Sequence, residues 1–293
     1  MFIDYLINIF VPTSSRILDG FFAVGIFLFG LCIGSFLNCY IYRRLPASAD
    51  PRSAESYGEA RQEKSLKGRS FCPNCKHTLL WKDLFPVFSF LFLGGKCRYC
   101  HKKISWQYPL VEIATGVLFV LIFSAAAGSR LGGTIFSFLN LAFLLYITSA
   151  LIIIFIYDLK HYLIPDKVLF PAIIISLIYN LIHWQNILNA LLAVIIASGF
   201  FLIIFLISKG KWMGFGDVKL AVLMGLLLGF PNVLLALFLA FFFGAIIGLT
   251  LMFLEKKNLK SEIPFGPFLI IGTFISIFWG SQIIQWYINF FQI

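Results

Sequence analysis

Long apolar runs separated by short polar connections dominate the pattern of this chain. Runs of about 20 apolar residues are long enough to cross a bilayer as helices. The pattern therefore predicts an all-α polytopic membrane protein with about eight transmembrane helices. The sixth run is short, so its helix is expected to be tilted, buried or joined to the seventh. The predicted ranges are 20–42, 108–127, 133–157, 164–183, 187–208, 218–230, 232–254 and 266–289.

The composition agrees with a membrane protein and excludes an ordinary soluble domain. The chain has 293 residues, of which 60% are hydrophobic and 12% charged, and its mean hydropathy is +0.93. Met1–Val11 is apolar but short, and no small-residue cleavage site follows it. We therefore expect the first long segment to be a retained anchor rather than a cleaved signal peptide.

The net charge of +10 is unevenly distributed, and its distribution predicts the topology. Thirteen of the 23 Lys and Arg residues lie between Arg43 and Lys103, and the other connections on the same predicted side hold all the rest except Arg16 and Arg130. Connections rich in Lys and Arg face the cytoplasm. Both termini are therefore predicted to lie outside, in a bacterial cytoplasmic (inner) membrane. We interpret the basic excess as a topology signal and a contact for anionic lipids, and we expect no nucleic-acid partner.

The first predicted cytoplasmic loop contains two Cys-x-x-Cys pairs, Cys72-Pro-Asn-Cys75 and Cys97-Arg-Tyr-Cys100, separated by 21 residues. This spacing is typical of a four-thiolate zinc site, which can fold a loop too small to form its own core. Two disulfides are the alternative, but a reducing compartment disfavours them. Four protein ligands leave no open coordination position, so the predicted zinc is structural.

Two carboxylates lie at the edges of predicted membrane segments. Asp158 directly follows the third segment, and Asp217 directly precedes the sixth, after the glycines Gly214 and Gly216. Ionisable groups at such positions are costly and are candidates for function, although Asp217 could also simply cap its helix. If both face one compartment, they can form the proton-sharing pair of an aspartic protease. One carboxylate then accepts a proton from water while the other donates a proton to the scissile carbonyl.

Several motifs in a fixed order resemble the prepilin peptidase family, the type IV leader peptidases, over nearly the whole chain. Asp158–Asp166 resembles the first aspartate motif, and Gly214-Phe-Gly-Asp217 resembles the G-x-G-D motif of aspartic intramembrane proteases. The two cysteine pairs resemble the family's cytoplasmic domain. Three further stretches resemble family signatures, namely Gly34–Arg43, which departs from the expected pattern at Cys39-Tyr40, Ile104–Glu112 and Pro264–Leu269.

This resemblance implies a membrane-embedded aspartic endopeptidase that cleaves the leader from type IV prepilins and from pseudopilins of type II secretion. Many members also N-methylate the new N-terminal residue with S-adenosylmethionine, and the cysteine domain and the N-terminal signature imply both activities here. The implied division is an anchor helix at 1–42, a zinc loop at 43–107 that acts in methylation together with that helix, and a peptidase domain at 108–293. The cofactor-binding residues and the oligomeric state are not predicted.

The resemblance assigns catalysis to Asp158 and Asp217 and leaves supporting roles for their neighbours. Asp166 follows Pro165 and suits the first turn of a helix, where a carboxylate complements the helix dipole. Lys219 is two residues beyond Asp217, so it should point elsewhere on a helix. Glu112 could pair with Lys102 or Lys103, or it could lie near the cofactor or substrate amine.

Two rival hypotheses remain at this stage. One is a G-x-G-D peptidase without methyltransferase activity, which the cysteine loop and the Gly34–Arg43 stretch argue against. The other is a proton-coupled transporter whose zinc loop binds a partner. A transporter usually has paired halves with interrupted helices, and the sequence has no such pairing.

Overall fold

A computed structural model describes residues 14–44, 69–128, 135–182, 187–254 and 263–291. Within these ranges the protein has nine α-helices, one short 3-10 helix at Trp81–Asp83 and no strand, so the all-α prediction is confirmed. Met1–Val11 and Arg130 lie outside the described residues, and so do the basic residues of the connection after the seventh predicted segment, Lys256, Lys257 and Lys260. The α-helices are α1 Ser14–Arg44, α2 Phe88–Phe92, α3 Gln107–Gly128, α4 Ile135–His161, α5 Asp166–Ile182, α6 Ile187–Ser208, α7 Phe215–Leu228, α8 Asn232–Phe253 and α9 Gly266–Phe291.

Each of the eight predicted membrane segments overlaps one of the longer helices, and these helices differ in length. Six are long and apolar enough to cross a membrane, namely α1, α3, α4, α6, α8 and α9. Helix α7 has 14 residues, and at about 1.5 Å per residue it is shorter than the bilayer core of about 30 Å. Of the alternatives for this segment, the structure supports burial, since eight of its residues are buried.

The chain divides into two compact units, and the boundary lies within helix α4 between Ser149 and Ala150. In the first unit, two glycines allow α1 and α3 to approach closely. A Cβ atom added at Gly30 would lie 2.7 Å from Cα of Gly116, and one added at Gly34 would lie 2.7 Å from Cα of Glu112. Small residues four positions apart commonly set such crossings between membrane helices. The close crossing also places Glu112 beside α1.

The cysteine loop of the first unit consists of two similar knuckles. Each is closed by an isolated antiparallel bridge, Phe71 to Thr78 in one and Lys96 to Lys103 in the other. The fourth residue after the first cysteine, Lys76 or His101, has a positive φ of 57° or 54°. The left-handed residue turns the chain back, and the same seven-residue bridge spacing recurs in both knuckles, so the loop is a structural repeat.

Asp83 connects the segment after the first knuckle to the second knuckle. Its side chain is buried, and Oδ1 accepts a hydrogen bond of 2.7 Å from Nε of Arg98. Oδ2 accepts from the Leu80 N–H at 3.1 Å and from the Tyr99 hydroxyl at 3.3 Å. Burial alone would raise the pKa of Asp83, but these donors and the Arg98 charge hold that pKa below its ordinary value.

Helix α7 is the buried centre of the second unit and contacts α5, α6, α8 and α9. Gly225 allows α6 to come close, since a Cβ atom there would lie 2.6 Å from the backbone nitrogen of Val194. The helix ends at Gly229, whose φ of 64° is in the left-handed region that glycine adopts at little cost. Because other helices surround α7, Asp217 and Val218 in its first turn are buried, whereas Phe215 at its start is 48% exposed.

Candidate active site and cysteine centre

Asp158 lies in the last turn of α4, and Asp217 lies in the first turn of α7. The predicted boundaries at 157 and 218 were therefore wrong, because both helices extend past their carboxylates. Helix α4 continues through Lys160 and His161, and the Lys160 ammonium complements the negative end of the helix dipole. Helix α7 begins at Phe215, three residues before the predicted start at 218. Asp217 therefore lies within the first turn of the helix, and Gly214 is the N-cap.

The two carboxylates are buried in the second unit and lie close enough for their charges to interact. Asp158 is 4% exposed and Asp217 is 9% exposed. Ionised groups are rarely buried in this way without partners. Two interacting carboxyl groups in one buried place favour a state with one shared proton. The arrangement can therefore hold one ionised and one protonated carboxyl group.

Gly266, at the N-terminus of α9, is part of this site and was missed by sequence reasoning. Its backbone N–H donates a hydrogen bond to the Asp158 carboxylate. A Cβ atom added at Gly266 would lie 2.5 Å from Oδ2 of Asp158, so only glycine allows this approach. The Pro264–Leu269 stretch contained a signal, since Pro267 directly after Gly266 suits the first turn of a helix.

Ile164 separates the two glycines of the site and was likewise missed. Added Cβ atoms at Gly216 and Gly266 would lie 3.2 Å and 3.6 Å from different atoms of its side chain. Gly214, in contrast, has only one neighbouring atom within 4 Å of an added Cβ, at 3.9 Å. The two glycines of the G-x-G-D stretch thus have different surroundings, and only Gly216 packs against another residue of the site.

Asp166 and Lys219 form an ion pair with each other, and neither is buried as Asp158 and Asp217 are. The Lys219 ammonium contacts Asp166 and lies 5.4 Å from the ring centre of Phe170 and 5.7 Å from that of Phe215. The Asp166 side chain is 53% exposed. Lys219 thus joins the first turns of α5 and α7, and its amine is directed to Asp166.

Glu112 lies in the first unit, whereas both aspartates lie in the second. It is buried, and Oε2 accepts a hydrogen bond of 2.7 Å from the backbone N–H of Val87. Val87 has a φ of 59°, an unfavourable conformation for a β-branched residue, so this bond supports a strained turn. No ion pair between Glu112 and Lys102 or Lys103 is present in the described part of the chain.

The thiols of Cys72, Cys75, Cys97 and Cys100 form one cluster in the cysteine loop. Their sulfur atoms all lie within 4.8 Å of one another, and all six cysteines of the chain are free rather than paired in disulfides. Burial acts to raise the pKa of Cys72, but hydrogen bonds from backbone amides and neighbouring thiols lower it to about 7. At Cys100 a backbone hydrogen bond from Lys102 acts to lower the pKa, but burial and the neighbouring thiols raise it to about 11. The cluster can therefore supply thiolate ligands to one metal ion.

Comparison with known proteins decides the family. The Type IV leader peptidase family matches residues 144–249, and the Bacterial Peptidase A24 N-terminal domain matches residues 28–126. A prepilin leader peptidase/N-methyltransferase of Legionella pneumophila is 36% identical over 283 residues, which is 90% of this chain and 94% of that protein. The chain belongs to the type IV leader peptidase family. No solved structure matches it.

Relatives from two other bacteria carry the same name as the Legionella protein. Prepilin leader peptidase/N-methyltransferases of Aeromonas salmonicida (strain A449) and Bacillus subtilis (strain 168) are each 32% identical to this chain. The matches cover 90% of this chain in both cases, and 93% and 97% of the respective relatives. The N-terminal match contains the cysteine cluster and Glu112, and the second match contains Asp158 and Asp217.

Proposed function

We propose that this protein is a membrane aspartic peptidase that removes the leader from type IV prepilins and pseudopilins and then N-methylates the new N-terminal residue. The observation that carries the peptidase half is the pair of buried, interacting carboxylates of Asp158 and Asp217. The names of its relatives support both halves. The cysteine module, which is the loop from Ser70 to Lys103 with its four clustered thiols, lies in the N-terminal match and supports the methyltransferase half.

In the proposed reaction, Asp158 acts as the base and Asp217 as the acid. The Gly266 N–H and the positive end of α9 stabilise negative charge on Asp158. Asp158 takes a proton from water as the water oxygen bonds to the scissile carbonyl carbon, and Asp217 protonates the carbonyl oxygen. Asp158 then passes its proton to the leaving nitrogen as the C–N bond breaks, while Asp217 recovers its proton.

The proposed location is the bacterial cytoplasmic membrane, with both termini outside and the active site and cysteine loop at the cytoplasmic face. The distribution of Lys and Arg residues supports this orientation. It places Asp158 and Asp217 at the membrane edge, where the junction between a basic leader and an apolar pilin helix would also lie. The basic residues would hold anionic lipid headgroups there.

We further propose that the four cysteines bind one structural zinc ion. Tetrahedral geometry with a Zn–S distance of about 2.3 Å requires sulfur atoms about 3.8 Å apart, and the sulfur atoms of Cys72 and Cys100 are 3.9 Å apart. The residues present therefore fit zinc. The proposed division of labour assigns 1–42 to an anchor helix, 43–107 to the zinc loop with its role in methylation, and 108–293 to the peptidase.

The proposed zinc site predicts that purified protein contains one zinc ion per chain. Loss of an outer-shell partner already costs about 10- to 100-fold in metal affinity, so Cys72→Ser and Cys97→Ser should each cost at least as much and unfold the loop. Elemental analysis after dialysis measures the content, and Cys32→Ser, which removes an exposed thiol of α1, is the matched control. Fresh, reduced wild-type protein without zinc would contradict the prediction.

The two proposed activities can be tested together on purified, membrane-reconstituted protein. With a prepilin and S-adenosylmethionine, which would supply the methyl group, mass spectrometry should find the leader released and one methyl group on the new N-terminus. Asp158→Asn should still methylate a precleaved pilin, because methyl transfer does not use the buried carboxylates. Cleavage without any methylation would contradict the proposed methyltransferase activity. Absence of both products would contradict both proposed activities.

A further inference from the structure

A cavity of about 430 Å³ lies in the first unit, within the size range of small-molecule sites. It is formed by the C-terminal part of α1, the cysteine module, α2 and the start of α3. All of its lining residues belong to this unit. Neither the proposed peptidase chemistry nor the cysteine cluster accounts for Asn38 and Glu112, two buried polar side chains in its lining.

Asn38 is the first of these polar side chains. It is 3% exposed, and its Nδ2 donates a hydrogen bond of 3.2 Å to the backbone oxygen of Tyr108. This bond determines the orientation of the amide, because the opposite orientation would place two acceptor oxygens against each other. The other amide atom, Oδ1, has no hydrogen-bond partner. A buried acceptor without a partner is costly, and a ligand N–H or O–H would remove that cost.

Glu112 is the second buried polar side chain of the cavity, and its carboxylate adds negative charge to the lining. It is 7% exposed, and its hydrogen bonds come from the Val87 N–H and the Ser35 side chain. These are neutral donors, and within the described residues no Lys, Arg or His forms an ion pair with Glu112. A buried carboxylate attracts a cationic group strongly, because little water screens the interaction.

The opposite charge is also present around the cavity. Lys102 and Lys103 line it, together with the aromatic rings of Phe71, Phe90 and Tyr108. A matching ligand would thus carry a cationic part, an anionic part and an aromatic part. The first residue of a pilin has an ammonium group but no carboxylate beside it, whereas S-adenosylmethionine has a sulfonium, an ammonium, a carboxylate and an adenine ring.

We propose that this cavity binds the methyl donor S-adenosylmethionine, with Glu112 facing its cationic part and Asn38 Oδ1 accepting a hydrogen bond from it. This inference rests on the proposed methyltransferase function and deepens it, since it assigns the donor site to residues outside the cysteine pairs. The donor would bind in the N-terminal unit, which contains neither Asp158 nor Asp217.

The first test measures binding rather than activity. Titration calorimetry on full-length, zinc-loaded protein in detergent gives the Kd for S-adenosylmethionine. Asn38→Leu should raise this Kd about tenfold, whereas Asn38→Asp should keep it near the wild-type value. Both variants lose the Nδ2 bond to Tyr108, so the difference between them reports the charged acceptor oxygens that aspartate has and leucine lacks. Thr115→Val is the control, because the Thr115 hydroxyl is buried in α3 and bonds only its own helix at Val111.

The second test removes the negative charge of Glu112. Glu112→Gln keeps an acceptor oxygen for the Val87 N–H but removes the negative charge. The substitution should therefore raise the Kd for S-adenosylmethionine more than the Kd for S-adenosylhomocysteine, which lacks the sulfonium charge. Ultraviolet crosslinking of methyl-labelled S-adenosylmethionine to wild-type protein, followed by peptide mapping, should label peptides within 35–43 and 70–112. This mapping needs no variant, so it stands even if a substitution disturbs folding.

The outcomes separate the donor site from the proposed function. If wild-type protein methylates cleaved pilin while Asn38→Leu and Glu112→Gln bind S-adenosylmethionine as tightly as it does, the cavity assignment is overturned and the function stands. Labelled peptides from residues after 150 would overturn it equally. If the wild-type protein transfers no methyl group from S-adenosylmethionine, the methyltransferase proposal fails, and this inference fails with it.

Discussion

Asp158→Asn and Asp217→Asn should each abolish prepilin cleavage. Each asparagine keeps the size of the side chain but can neither take up nor release the catalytic proton, and general acid–base catalysis alone is worth about 10²- to 10⁴-fold. We expect losses of at least that size in kcat, measured by mass spectrometry of released leader. The double variant should be no slower than either single variant, because the two groups act as one unit.

The same experiment includes a control for folding and a control at a neighbouring aspartate. Removing a buried charge should not lower the melting temperature of either variant, so lost activity with an unchanged melt assigns the effect to chemistry. Asp166→Asn is the matched control, since Asp166 is exposed and pairs with Lys219, and it should retain measurable activity. Full cleavage by Asp158→Asn or Asp217→Asn would refute the mechanism, and an inactive, folded Asp166→Asn would mean that the first motif supplies a different catalytic residue.

Gly266→Ala should have the second largest effect on cleavage. The added methyl carbon would lie 2.5 Å from Oδ2 and 3.2 Å from Cγ of Asp158, so the carboxylate or the start of α9 must move. A misplacement of about 1 Å in a catalytic group can cost about 100-fold in rate. We therefore expect roughly that loss of prepilin cleavage, measured as initial rates, with methylation of precleaved pilin intact.

Gly199→Ala is the matched control, because a Cβ atom at that position in α6 would have no neighbour within 4 Å. It should cleave at the wild-type rate, and replacing glycine within a helix should slightly stabilise it. Wild-type cleavage by a folded Gly266→Ala protein would show that the Gly266 N–H contact with Asp158 is dispensable, while leaving the roles of Asp158 and Asp217 untouched.

Local features of the sequence determined the fold class and the identity of the candidate chemistry. Apolar runs specify membrane helices, because a backbone in lipid must satisfy its own hydrogen bonds. The two Cys-x-x-Cys pairs predicted one cluster, and the structure brings all four thiols together. Asp158 and Asp217 were visible as carboxylates at the edges of apolar runs, where charge is costly. These signals lie within a few residues, so they can be read without tertiary contacts.

Helix ends were less predictable, and the errors at Asp158 and Asp217 have a physical cause. The hydrophobic pattern marks where a membrane helix stops being apolar, not where its backbone hydrogen bonds stop. Helix α4 therefore continues through Asp158 to His161, and α7 begins at Phe215, two residues before Asp217.

Tertiary structure alone decided which distant residues meet. The partnership of Gly266 with Asp158 joins positions 108 residues apart, and neither residue alone indicates the other. The unpartnered oxygen of Asn38 likewise arises only because α3 places the Tyr108 carbonyl against the other end of the amide. Sequence patterns report which groups must be buried or charged, whereas packing between helices decides which of those groups lack a partner and remain available for chemistry.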